Sequence, residues 1–172
     1  YSNYIAEVDL AKELASLLKD ERSSDGIKKY DSKEIEKIFT KIKKESHIEF
    51  SKEQEEAILM AFTEPIVIIT GGPGTGKTTI VHAILKMYLR LNGDNSTLAE
   101  SIALLAPTGR AAKRLKESTN MNASTIHKFL GYQGENYFEY SKNNKTSARL
   151  IIVDEASMMD LPLAYQLFSS IQ

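Results

Sequence analysis

The chain has no cysteine and no tryptophan. Without cysteine there is no disulfide frame and no thiolate metal site, which agrees with a reducing compartment. It also lacks any excess of one charge. Lysine and arginine number 22, aspartate and glutamate 23, and the net charge is −1. No global field therefore draws in nucleic acid, and any such site must be a local patch. Apolar runs fall far short of the roughly 20 residues that span a bilayer, and no signal-peptide layout is present. A cytoplasmic location without a membrane partner is the expectation. What remains is an ordinary globular composition, 42% hydrophobic and 26% charged over 172 residues. That is enough chain for one domain with its own core, plus an appendage. The chain begins at Tyr1 and ends at Gln172 inside a predicted helix from Leu161, and it reads as part of a longer protein.

Glycine is sparse, but it concentrates in Gly71-Gly-Pro-Gly-Thr-Gly-Lys-Thr-Thr79. An apolar run, Ile66-Val-Ile-Ile69, precedes this stretch and predicts a strand. An amphipathic segment, Thr78 to Leu91, follows and predicts a helix. Strand, glycine loop and helix together form the setting of a Walker A phosphate loop. The loop Gly72, Pro73, Gly74, Thr75 and Gly76 would wrap the phosphates, its glycines allowing a tight turn that aims the N–H groups of the residues other than Pro73 at phosphate oxygens. The helix N-terminus, with Thr78 and Thr79 in its first turn, adds partial positive charge. Lys77 can reach the β- and γ-phosphates of ATP, and the Thr78 hydroxyl can hold Mg²⁺.

A second anchor is Arg149-Leu-Ile-Ile-Val-Asp-Glu155. Its apolar centre predicts a buried strand with two acids at its C-terminal end. Asp154 suits a Walker B carboxylate in the Mg²⁺ shell, and Glu155 suits a base that takes a proton from attacking water.

The rest of the chain supplies framework and further candidates. Apolar positions in 4–19 and 32–44 predict two amphipathic helices, the second capped by Asp31 or Ser32, with a polar linker from Lys19 to Tyr30. The helices are expected to pack on each other or on the main domain. Ser51 and Gln54 form a capping box at the head of the next helix. Gln54 has a second reading, a bidentate pairing of its amide with adenine. Ile102 to Ala106 predicts a buried strand leading into Pro107-Thr-Gly-Arg110 and a helix over 111–117. Thr108 is its expected N-cap. Arg110, Lys113, Arg114 and Lys116 are either a solvated basic face or contacts to a phosphate backbone at the carboxyl edge of the sheet. Ala123 to Leu130 predicts a short helix capped by Ser124 and ended by Gly131. In it, His127 could shuttle a proton, touch DNA, or simply sit half-buried. Tyr137 to Tyr140 reads as an arm of a surface hairpin. Its aromatics, with Tyr132, are expected to cover the hairpin rather than stack on bases.

These motifs resemble one family. Phe50-Ser-x-x-Gln54, Gly71 to Thr79, Ala106-Pro-Thr-Gly-Arg-Ala-Ala-Lys-Arg-Leu115, Ser124-Thr-Ile-His127 and Asp154-Glu-Ala-Ser-Met158 with Leu161-Pro162 occur in the order and spacing of a RecD-like superfamily-one DNA helicase. The resemblance covers about 50–162. It implies an α/β fold: a RecA-like P-loop NTPase domain over 49–172, with a parallel sheet flanked by helices, preceded by a helical N-terminal segment, 1–48. It implies that Gln54 reads adenine, and that Thr108, Gly109, Arg110, Thr125, His127 and Lys128 line a single-stranded DNA track. It further implies ATP-driven 5′-to-3′ movement in recombination or repair, alone or with subunits of a nuclease complex. The family's Gly-Asp-x-x-Gln motif has no match in this sequence, and neither does the second motor domain with its arginine finger. The expectation is that residues 1–172 bind nucleotide, hydrolyse it poorly and unwind nothing. Two other readings stay open: another P-loop enzyme, such as a small-molecule kinase, and a nucleotide-gated binding module.

Overall fold

A computed structural model describes residues 3–19, 30–72, 74–93, 98, 100–135 and 137–171. In chain order the elements are α1 (Asn3–Leu18), α2 (Ser32–Ser46), α3 (Lys52–Met60), α4 (Lys77–Asn92), β1 (Ile102–Ala106), α5 (Gly109–Thr119), β2 (Ala123–Thr125), α6 (Ile126–Phe129), β3 (Tyr132–Gly134), β4 (Tyr137–Phe138), β5 (Leu150–Val153), a 3₁₀ turn (Ala156–Met158) and α7 (Leu161–Ser169). They form two compact units, Tyr1–Arg22 with Ala99–Gln172, and Ser23–Leu98. Most of the expected polar linker, residues 20–29, lies outside the described residues.

The first unit is built on a parallel three-stranded sheet in the order β2-β1-β5. β1 is central and buried, as an apolar strand covered on both faces should be. Its residues alternate between the faces. Ala103 and Leu105 join Ile126, Leu130, Leu163 and Leu167 in one core. Ala106, on the opposite alternation, packs with Ala111 and Ala112 of α5. Each fully buried leucine here contributes about 1.5–3 kcal/mol through loss of water contact. α1 packs on α7. On α1, Glu13 is 5% exposed and pairs with Lys142 at 3.1 Å.

In the second unit, α2 and α3 pack on α4. α2 buries Ile35, Phe39 and Ile42, a stripe with helical period. Asp31 occupies its N-cap position but makes no side-chain cap bond. Glu45 of α2 is paired with Arg90 of α4, and Lys43 of α2 with Glu55 of α3. The first two helices thus each find a partner further along the chain, α1 on α7 and α2 on α4.

Two local expectations are corrected. The run Ile66 to Ile69 is not a ladder strand: no described residue pairs with it, and Ile68 is 84% exposed. β-branched residues favour extension, but a strand also needs a neighbour's N–H and C=O groups. The segment expected to be helical from Ala123 begins as a strand instead, because Leu104, Leu105 and Ala106 offer it a parallel ladder. The helix starts three residues later. Its cap is Thr125, not Ser124: the Thr125 hydroxyl accepts from Lys128 N at 3.2 Å.

Candidate nucleotide and nucleic-acid site

The glycine loop leads directly into α4. Gly74 and Gly76 have φ of +77° and +81°, the left-handed region that other residues enter at a cost. A Cβ on Gly71 would lie 2.6 Å from Thr75 Oγ1, and one on Gly76 would lie 2.4 Å from Gln54 Nε2. A side chain at either position would displace the neighbouring Thr75 or Gln54 side chain. The Thr75 hydroxyl donates to the Gly72 carbonyl at 2.9 Å. The Lys77 ammonium donates to the carbonyls of Gly71 and, at 2.9 Å, Gly72. The lysine that would meet phosphate thus lies folded over its own loop. Pro73 lies outside the described residues.

Gly76 is the N-cap of α4 and supplies no side-chain cap. The first bond into the helix runs from Ile80 N to Gly76 O at 3.0 Å. No described residue accepts from the N–H groups of Lys77, Thr78 and Thr79, an arrangement that suits an anion. Thr78 is exposed. This chemistry fits a triphosphate. The Thr78 hydroxyl in one unit and the Asp154 carboxylate in the other are each an oxygen donor of the kind Mg²⁺ accepts. Among the described residues no group of three or more His, Asp or Glu forms a metal cage.

Gln54 takes part in both structures expected of its neighbourhood. Its Oε1 accepts from Ser51 N at 3.0 Å, and its backbone N donates to Ser51 Oγ at 3.3 Å, completing the capping box. Its Nε2 also donates to the Thr75 carbonyl at 3.0 Å. This link between α3 and the glycine loop was not foreseen from sequence, because the partner is a main-chain atom.

The other candidates share one edge of the parallel sheet in the first unit. Register pairs Leu105 with both Ser124 and Val153, so the three strands end side by side. Past the end of β1 come Thr108, Gly109 and Arg110. Thr108 Oγ1 accepts from Ala111 N at 3.3 Å, capping α5 as expected, and Arg110 is exposed. At the end of β2 come Thr125, then His127 and Lys128, both exposed. The His127 ring meets Tyr132 edge-on at 5.4 Å and stacks on Phe138 at 6.2 Å, so the hairpin aromatics cover one another. Tyr132 and Tyr137 remain 44% and 60% exposed. At the end of β5 the Asp154 backbone continues the ladder, its N donating to Leu105 O at 2.9 Å. Asp154 Oδ1 accepts from Glu155 N at 2.9 Å. Glu155 itself is exposed, with φ +55°. A non-glycine residue in that region marks a constrained, often functional, position. Nothing in the sequence signals it, because glutamate seldom adopts this conformation. Lys77 and Thr78 belong to the other unit.

The AAA domain family matches residues 54–172, well over half of the chain. The chain belongs to the AAA domain family. Its relatives place it in the RecD-like helicase branch. It is 37% identical over 141 residues to a RecBCD enzyme subunit RecD of Haemophilus influenzae, covering 69% of this chain and 21% of the relative. It is 37% identical over 121 residues to the ATP-dependent RecD2 DNA helicase of Deinococcus radiodurans, covering 70% and 16%. The RecD subunit of Mycolicibacterium smegmatis is 32% identical over 139 residues, covering 70% and 25%. The chain thus spans about a quarter or less of the length of these relatives. No helix among the described residues is long and apolar enough to cross a membrane.

Proposed function

We propose that this chain is the nucleotide-binding portion of an ATP-driven, RecD-like DNA helicase motor. The observation that carries the proposal is the loop geometry: two glycines at positive φ, an uncapped helix N-terminus and Lys77 folded over the loop. In this reading the N–H groups of Gly74 to Thr79 and the Lys77 ammonium bind the phosphates of ATP. Thr78 and Asp154 each offer an oxygen to Mg²⁺, which when bound neutralises charge on the β- and γ-phosphates. Glu155 takes a proton from the attacking water.

Thr108, Gly109, Arg110, Thr125, His127 and Lys128 line a path for single-stranded DNA along the carboxyl edge of the sheet, where open parallel sheets bind ligands. Supporting this, they follow adjacent strand ends and Arg110, His127 and Lys128 are exposed. Movement is 5′ to 3′ in the complete protein, in recombination or repair. Subunits of a nuclease complex are candidate partners, since several relatives bear the name RecBCD enzyme subunit. Residues 49–172 serve as the partial motor domain, and 1–48 as its helical preface. Residues 1–172 alone bind nucleotide and turn it over slowly, because an arginine finger of the kind such motors use contributes about 10³–10⁵ in rate.

The test is ATP hydrolysis by the complete parent protein, of which residues 1–172 are part, with and without single-stranded DNA, in wild type and in Glu155→Gln. The expected result is turnover stimulated by DNA and lost in the variant. Turnover indifferent to DNA favours another P-loop ATPase. Turnover that depends on a phosphate acceptor favours a kinase. Absence of any turnover, with partner binding intact, favours a binding module.

A further inference from the structure

We infer that the outer face of α2 is a docking surface for the phosphate backbone of double-stranded DNA. The surface is a stripe of four lysines, Lys33, Lys37, Lys41 and Lys44. It shares no residue with the phosphate loop or with the strand path proposed above.

The two faces of α2 have opposite characters. Ile35, Phe39 and Ile42 are buried, and α2 packs on α4. Lys33, Lys37 and Lys44 fall on the opposite side of the helix, with Lys41 beside them. All four are exposed. Together with Thr40 and Glu36 they line a shallow surface depression, in which Glu36 is the one acid. Among the described residues none of the four has an ion-pair or hydrogen-bond partner. Glu45 feels the charge of Lys41, but its hydrogen bond goes to Arg90. Lys43 of the same helix behaves differently. It pairs with Glu55 and lies 5.4 Å from the centre of the Phe39 ring. One lysine of this stretch is thus held inward, and four are left facing outward.

Helix stability does not account for the stripe. Lys33 lies in the first turn of α2, at the positive end of the helix dipole, where a cation is disfavoured. Lys33 with Lys37, and Lys37 with Lys41, are like charges four residues apart, a spacing that destabilises a helix. A polyanion laid along the face relieves both. Lys33 and Lys44 are about 16 Å apart along the axis, at about 1.5 Å per residue. A DNA strand carries a phosphate about every 3.4 Å of duplex axis, so several fall within reach of the row. A protein partner fits this face less well. Lysine is depleted at protein interfaces, whose cores are enriched in aromatic residues, and the stripe contains none. A single strand also fits less well, since its bases stack on aromatic side chains. A duplex keeps its bases inside and is held through phosphates alone, whatever its sequence. Since α2 packs on α4, which begins at Lys77, such a grip belongs to the same compact unit as the phosphate loop.

The test uses the complete parent protein, of which residues 1–172 are part. The probes are a short blunt DNA duplex and a single strand of the same length, each titrated between about 50 and 200 mM salt. One variant carries Lys33→Gln, Lys37→Gln, Lys41→Gln and Lys44→Gln. The other carries arginine at the same four positions. Glutamine and arginine are both good helix formers, so α2 is retained. The glutamine variant is expected to bind the duplex at least about tenfold more weakly at the low-salt end. Its log–log salt slope should be shallower by about 0.9 for each lysine that meets a phosphate. The arginine variant should match wild type. Single-strand affinity and ATP hydrolysis should be unchanged in both. An unchanged duplex slope in the glutamine variant would overturn the inference and leave a solvated face. So would a loss shared equally by the single strand, or a loss in the arginine variant as deep as in the glutamine one. Wild-type protein that hydrolyses no ATP would count against the motor reading and not against this one, which the duplex slopes decide.

Discussion

At the scale of single residues, Gly74 and Gly76 face different constraints. Both hold positive φ, which costs an L-residue of order 1–3 kcal/mol. Around Gly74 there is open space, whereas a Cβ on Gly76 would press on Gln54 Nε2. Gly74→Ala therefore meets strain alone, and Gly76→Ala meets strain and displacement of Gln54. Both should weaken ATP binding by about tenfold or more at the strain cost given. The second should lose more, as measured by titration of nucleotide with circular dichroism as a check on folding. Equal losses would show that the contact with Gln54 does not matter to the loop. The residue types of this site were legible in the sequence, since glycine, lysine and threonine at these intervals admit few other uses. Their internal bonds were not legible. The acceptors for Lys77 and Gln54 are main-chain carbonyls, which every residue carries.

Among elements, the joint between α2 and α4 is the one with a pH signature. The Arg90 guanidinium, by its hydrogen bond and its charge, holds the Glu45 carboxyl below its usual range. A carboxyl with a depressed folded pKa stabilises the fold above its unfolded value, about 4.3. That contribution fades as pH falls through the lower, folded value. Arg90→Gln should thus flatten the fall in thermal midpoint below about pH 4.3. The effect should be small, because both side chains are well exposed and solvent screens them. An unchanged pH profile would mean that the pair exchanges freely with water. Element boundaries followed from periodicity wherever a helix was long and amphipathic, as in α2 and α4. Periodicity could not decide two short segments. Ala123 to Thr125 became a strand because β1 had an open ladder beside it. Ile66 to Ile69 looks like a strand in every local respect, and its state depends on neighbours that local sequence does not reveal.

For the molecule as a whole, charge is placed rather than accumulated. With a net charge of −1, the chain must bind a polyanion through a few exposed cations. Arg110 stands at the carboxyl end of β1, beyond the Thr108 cap that starts α5. If DNA follows this edge, Arg110→Ala in the full chain should weaken single-strand binding and make its salt dependence shallower. The log–log slope should change by about 0.7, the share of one phosphate on a single strand. An unchanged slope would return Arg110 to a solvated helix face. Strands β1 and β5 of the parallel sheet were foreseen from the apolar runs at 102–106 and 150–153, and β2 was not. Nor was the burial of Glu13 against Lys142, since a glutamate on an amphipathic helix is normally on its wet side.

The left-handed backbone at Glu155 bears on which sequences this position tolerates. Glycine would relax the backbone there but has no carboxylate. Asparagine tolerates the conformation better than most residues, yet it cannot take a proton. Aspartate has the right group on a shorter stem. With Glu155 in its proposed role as base, selection for a relaxed chain and selection for chemistry pull position 155 toward different residues. A library screened for thermal stability alone would be drawn to sequences that have discarded the acid.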